Sequence, residues 1–227
     1  AIDDVLEIAA MDGIALEGLL SHFSEADLDD KTFALQQLSF FGQLCAEITA
    51  KTGLGPLCHM ANSAALFSFP DAMLNAVRPG IALYGYSAEG GNQGLLPVMR
   101  VTARIIAVRT LPAGAPVSYG RTFVTRRVTR VGVVSLGYAD GFNRLFSNNG
   151  EMLVRGHRVP VIGRVCMDLT MLDVTEIEDV LIGDEVVVLG SQNGQTITAS
   201  ELSQRIGTIP YEILTSLGSR SRKEYVH

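Results

Sequence analysis

A chain of 227 residues with 47% hydrophobic side chains has material for one large or two modest buried cores, which excludes a disordered polypeptide. Its formal net charge of -6, with no concentrated basic stretch, excludes a general nucleic-acid binder and leaves small molecules or proteins as partners. No apolar run approaches the roughly 20 residues that span a bilayer, and no basic segment followed by an apolar core opens the chain, so it reads as soluble and cytoplasmic.

Residues 2–11 read as a helix ended by Asp12-Gly13, and residues 14–21 as a strand. Leu38, Phe41, Leu44, Cys45 and Ile48 recur at helical spacing ahead of Gly53, which predicts a helix with one buried stripe. A strand at Leu57–Met60, a helix from Ser63 and a strand at Gly80–Tyr84 complete about three strand-helix units, the pattern of a parallel sheet with helices outside it. A closed parallel barrel needs eight strands. The chain is therefore expected to open inside a fold.

From about residue 97 the texture changes. VTARIIAVRTL, RVGVVSLGY, EMLVRG, RVPVIG and DEVVVLG are separated by Pro-Ala-Gly, Asn-Asn-Gly, Arg-Gly-His, Ile-Gly-Asp and Asn-Gly turns, which predicts a compact antiparallel β domain or barrel. The polar, glycine-rich Ser87–Gly94 stretch marks the boundary, giving domains over 1–88 and 89–227. Thr198 and Glu201 have capping-box spacing and predict a short helix ending at Gly207. Cys45, Cys58 and Cys166 are odd in number, with no CxxC and no paired histidine spacing, so reduced thiols and no metal site are expected.

Four clusters could carry chemistry. His22 follows a barrel-type strand, at the end where such folds place active sites, or is a hydrogen-bonded packing residue. Asn62 and Ser63 precede a helix whose free amides suit a phosphate, or they merely cap it. Arg78 precedes Pro79-Gly80-Ile81, where a glycine lets backbone approach a ligand and an unpartnered arginine would be costly to bury. Tyr119, Tyr138, Met167 and Asp168 lie among glycines in the β-rich part, as site residues or as turn residues.

Together, in this order, VSYG, GYADG, RPGIALYG and IGRVCMD resemble the alanine racemase family over essentially the whole chain. The resemblance implies the C-terminal part of a (β/α)8 TIM-type barrel followed by a mainly antiparallel β domain, with pyridoxal 5'-phosphate as cofactor. It implies that Ser63 and the amides of Gly80 and Ile81 hold the cofactor phosphate beside Asn62. Arg78 would face the pyridine nitrogen, steadied by His22. A guanidinium keeps its protons, so that nitrogen stays unprotonated and the ring is a weaker electron sink, which suits returning a proton to carbon. Tyr119 would be one of two bases on opposite faces of the α-carbon, the Schiff-base lysine being the other. A phenol titrates near about 10, so the tyrosine needs neighbouring positive charge or hydrogen bonds. Met167 would receive the substrate carboxylate through its amide, with Tyr138 and Asp168 lining the way in or supporting that site. A head-to-tail homodimer sharing its active sites between subunits is implied.

The family's lysine motif, resembling VVKANAYGHG, and its later TGMGR-like arginine motif do not occur here, and Lys31, Lys51 and Lys223 lie in other contexts. The chain is therefore expected to be a fragment, inactive alone, of an enzyme interconverting L- and D-alanine. Two alternatives stand beside this reading: a related racemase acting on serine or a broader range, and an inert folding or dimerisation module. A fold-related decarboxylase would place an acidic residue where Arg78 stands.

Overall fold

The first helix, α1 (Ile2–Ala9), stops at a turn through Gly13, and the strand that follows is shorter than the apolar run around it: β1 covers only Gly18–Leu20. The computed structural model describes residues 2–87 and 94–226. Next come α2 (Thr32–Thr52), β2 (Leu57–His59) and α3 (Ser63–Ser68). The α2 stripe packs inward through Phe41, Cys45 and Ile48, against Phe23, Cys58, Met60 and Ala65, and left-handed Gly53 closes the helix.

β1 and β2 pair in parallel, Leu20 opposite His59. The strand expected at Gly80–Tyr84 is a 3-10 turn over Ile81–Tyr84. The parallel contact lies earlier: Asn75 N donates to Cys58 O, Ala76 bridges His59, and Arg78 N donates to Ala61 O. Pro79 lacks an N–H and Gly80 departs from extended geometry, so pairing stops where the apolar run begins. Three parallel segments thus end together at Ser21, Met60 and Arg78.

The chain divides into two compact units, Ala1–Val98 and Met99–His227. The boundary expected at Ser87–Gly94 falls largely on residues 88–93, outside the described residues. The second unit contains β3 (Val101–Leu111), β4 (Pro116–Val117), β5 (Phe123–Val124), β6 (Thr129–Val134), β7 (Glu151–Val154), β8 (His157–Pro160), β9 (Thr170–Asp173), β10 (Glu185–Gln192), β11 (Gln195–Ile197), α4 (Ala199–Ile206) and α5 (Pro210–Ser216). The order β8-β7-β10-β3-β6-β9 is antiparallel throughout, and Val161, just past β8, bridges Leu172 of β9 to close the ring. This bridge limits the free edge that the two end strands present.

Two hairpins are set by the two-residue turns Arg155-Gly156 and Asn193-Gly194, both with positive φ at each position. Ile105, Val134, Met152, Leu172 and Val186–Leu189 are buried, each stabilising the ring by about 1.5–3 kcal/mol. The Thr198 hydroxyl accepts from Glu201 N and caps α4, which ends at Gly207 as its spacing predicts.

Candidate active site

In the first unit, the site is organised around one guanidinium. Arg78 Nη1 lies 2.7 Å from His59 Nδ1 and donates to His59 O at 3.0 Å. Its Nη2 donates to Ser21 O at 2.7 Å, lies 3.1 Å from His22 Nδ1 and reaches Met60 O at 3.4 Å. A guanidinium only donates, so both imidazoles must present an unprotonated Nδ1 and carry their proton on Nε2. With both Nη atoms committed, Nε–H is the donor left without a partner among the described residues. His59 has no glycine or proline neighbour to mark it in the sequence, although it ends its strand as His22 follows its own, and the parallel register brings both to Arg78.

Beside this cluster Ser63, 2% exposed, accepts from Gly80 N at 2.8 Å and Ala82 N at 3.3 Å. The Ile81 amide between them has no partner among the described residues. Asn62 caps α3, its Oδ1 accepting from Ala65 N at 3.0 Å. A Cβ on Gly80 would stand 3.9 Å from Ser63 Oγ, in the space in front of the hydroxyl. A buried hydroxyl, a bare backbone and an unspent amide suit a phosphate group.

In the second unit Tyr119 stands on a turn in which Ser118, Gly120 and Arg121 all have positive φ. Tyr119 is 72% exposed and its hydroxyl meets no partner among the described residues. The turn is pinned from behind: Ser118 Oγ donates to Arg164 O at 2.7 Å, and a Cβ on Gly163 would come 2.7 Å from Ser118 Cβ. The Arg164 guanidinium packs over Gly120, where a Cβ would meet Nε at 3.3 Å. Arg164 thereby supplies a positive charge beside the tyrosine's turn.

Tyr138 and Met167 are brought together by backbone pairing. Tyr138 N donates to Cys166 O and Ala139 N to Met167 O, both at 3.0 Å. A Cβ on Gly137 would fall 2.2 Å from Met167 O, so only glycine lets these loops approach so closely. The Met167 amide has no partner among the described residues. Asp168 pairs with Arg220, which also holds Asp140.

The sequence matches the model of the alanine racemase N-terminal domain over residues 1–88 and that of the alanine racemase C-terminal domain over residues 98–225. The chain belongs to the alanine racemase family. It is similar to the alanine racemase of Thermodesulfovibrio yellowstonii, 46% identical over 224 residues, covering 99% of this chain and 60% of that protein. The alanine racemase of Desulfosudis oleivorans is 48% identical over 229 residues, covering 99% and 59%. Among solved structures, the Clostridium difficile alanine racemase in complex with cycloserine superposes with a TM-score of 0.87 at 32% identity, covering 97% of this chain and 59% of that one. That of Bartonella henselae, with covalently bound pyridoxal phosphate, gives 0.85 at 31% identity, covering 99% and 61%. The chain thus spans about three fifths of the length of these relatives. An α/β part followed by a mainly antiparallel β domain is the fold it shares with them.

Proposed function

We propose that the protein to which this chain belongs interconverts L-alanine and D-alanine by a two-base reaction dependent on pyridoxal 5'-phosphate. The observation that carries this reading is Arg78, whose guanidinium is fixed by carbonyls and two imidazoles while its Nε–H has no partner among the described residues. When bound, the cofactor would acidify the α-hydrogen of the amino acid it holds.

The chain's own residues divide the remaining work. Ser63 and the Ile81 amide would grip the phosphate, joined by the Gly80 amide once it turns from Ser63 Oγ, and Asn62 would keep α3 in place by capping it. Arg78, held by His22 and His59, would offer Nε–H to the ring nitrogen and, being always charged, would leave that nitrogen unprotonated. The Tyr119 phenol would take or deliver the proton on one face of the α-carbon, and a lysine would serve the other. Lys31 is engaged with Ala26 O, Lys51 pairs with Glu47 and Lys223 lies in the exposed C-terminal segment, which supports a lysine supplied from outside these 227 residues. The Met167 amide would receive the substrate carboxylate, with Tyr138 and Asp168 beside it.

The junction at 88–89 would separate the cofactor-holding part from the tyrosine-bearing domain, and a homodimer would bring the two together across subunits. Three unpaired cysteines accord with a cytoplasmic setting. No helix among the described residues is long and apolar enough to cross a membrane. The 227-residue chain alone would be inactive.

Racemase assay of the full-length protein beside Tyr119→Phe tests this reading. We expect kcat to fall about 10²- to 10⁴-fold, the usual contribution of a positioned general base. Undiminished turnover removes Tyr119 from the chemistry. Racemisation by the isolated 227-residue chain would overturn the assignment of the second base.

A further inference from the structure

Arg220, near the end of the chain, lies outside every motif that suggested the activity. Its Nη2 donates to Asp140 Oδ1 at 3.0 Å and to Asp168 Oδ1 at 2.6 Å, and its Nε reaches the same Asp140 oxygen at 3.2 Å. Asp140 accepts from Gly137 N at 2.9 Å through its other oxygen, and its carbonyl accepts from Gly218 N at 3.0 Å. Ser216 O stands where a Cβ on Gly141 would be, at 1.9 Å. Three segments therefore close on one another: the turn at 137–141, the loop at 166–168 and the stretch at 216–220.

We infer that Arg220 is a positioning residue for the carboxylate-binding loop, holding the Met167 amide in place through Asp168 and Asp140. The inference rests on the reading that this amide receives the substrate carboxylate. Backbone pairing sets the near side of the loop, since Tyr138 N and Ala139 N donate to Cys166 O and Met167 O. Beyond the loop's own Cys166 N–Leu169 O hydrogen bond at 2.9 Å, the far side is tied through the Asp168 contact with Arg220. Two carboxylates that share one nitrogen repel each other once the cation between them is gone. The side chain of Asp168 is 57% exposed and that of Asp140 only 15%, so the exposed loop moves and the turn stays. Arg220 also offsets negative charge where an incoming carboxylate must approach.

The test uses the full-length protein with its cofactor. Arg220→Gln should raise the KM for alanine about three- to tenfold with kcat within about twofold, the pattern of lost ground-state binding. Acetate, a bare carboxylate, should compete with alanine, and its inhibition constant should rise in the same proportion. Both effects should shrink in about 0.5 M salt, which screens exposed charges. Arg220→Lys should recover part of the affinity. Arg220→Gln combined with Asp140→Asn should recover more, because one of the repelling charges is gone. A KM and an acetate constant unchanged in Arg220→Gln would overturn the inference, as would a double variant no better than the single one. Failure of acetate to compete in the unsubstituted protein would instead remove the carboxylate reading on which it rests.

Discussion

Arg78 and Tyr119 are held in opposite ways. The arginine is gripped by its side chain, through the carbonyls and imidazoles of two neighbouring strand ends. The tyrosine is gripped by its backbone: a turn of positive-φ residues is pinned to Arg164 O through Ser118, and the phenol projects without a partner among the described residues. The difference fits the work proposed for each. A group that must keep one orientation is tied at its functional end, whereas a group that must exchange a proton is tied at its base and left free at its tip.

This contrast can be broken from either side, and the largest effect should come from the backbone. Gly163→Val should lower kcat about 100-fold in the full-length enzyme, because a side chain there meets Ser118 Cβ and Val117 O and displaces the whole Tyr119 turn. Steady-state kinetics with a melting curve would check it, and an unshifted kcat would show that the turn is not rigidly carried. On the arginine side, His59→Phe should lower kcat about tenfold and weaken pyridoxal phosphate retention measured by equilibrium dialysis. His59→Asn should recover most of both, since its amide oxygen can stand in for Nδ1. Activity retained in His59→Phe and lost in His59→Asn would mean that His59 only fills space.

The smallest effect lies outside the site. Hydrogen bonding to Arg158 is the largest influence on Glu201 and holds its carboxyl below the usual range, opposed by burial. A carboxylate lowered in this way stabilises the fold above its unfolded value and loses that contribution as pH falls through the folded one. Glu201→Gln should therefore cost about 1 kcal/mol near neutrality and almost nothing in strong acid, measured by urea unfolding at several pH values.

The two parts of the molecule were not equally legible in the sequence. β3 matches its apolar run, and the Arg-Gly and Asn-Gly turns sit where hairpins need them, because antiparallel strands are local structures marked by their own turns. β4, β5 and β9 were not marked, being two to four residues long and defined by pairing rather than composition. In the first unit the apolar run Ile81–Tyr84 imitated a strand, while the true parallel contact at Asn75–Arg78 has only Ala76 and Val77 as apolar residues and depends on β2 beside it. Ser63 and Arg78 stood out through their glycine and proline neighbours. His59 and Arg220 did not, since each acts through a partner distant in the chain, 19 residues for His59 and 80 and 52 for Arg220.

A single planar cation laid across the ends of neighbouring strands also works as a gauge of their alignment. If one strand slides along the next, carbonyls that now converge on the guanidinium separate, and the remaining N–H swings off its mark. Substitutions buried deep beneath β1 and β2, with no route to any ligand, should therefore be felt first as a misaimed donor and only later as lost stability.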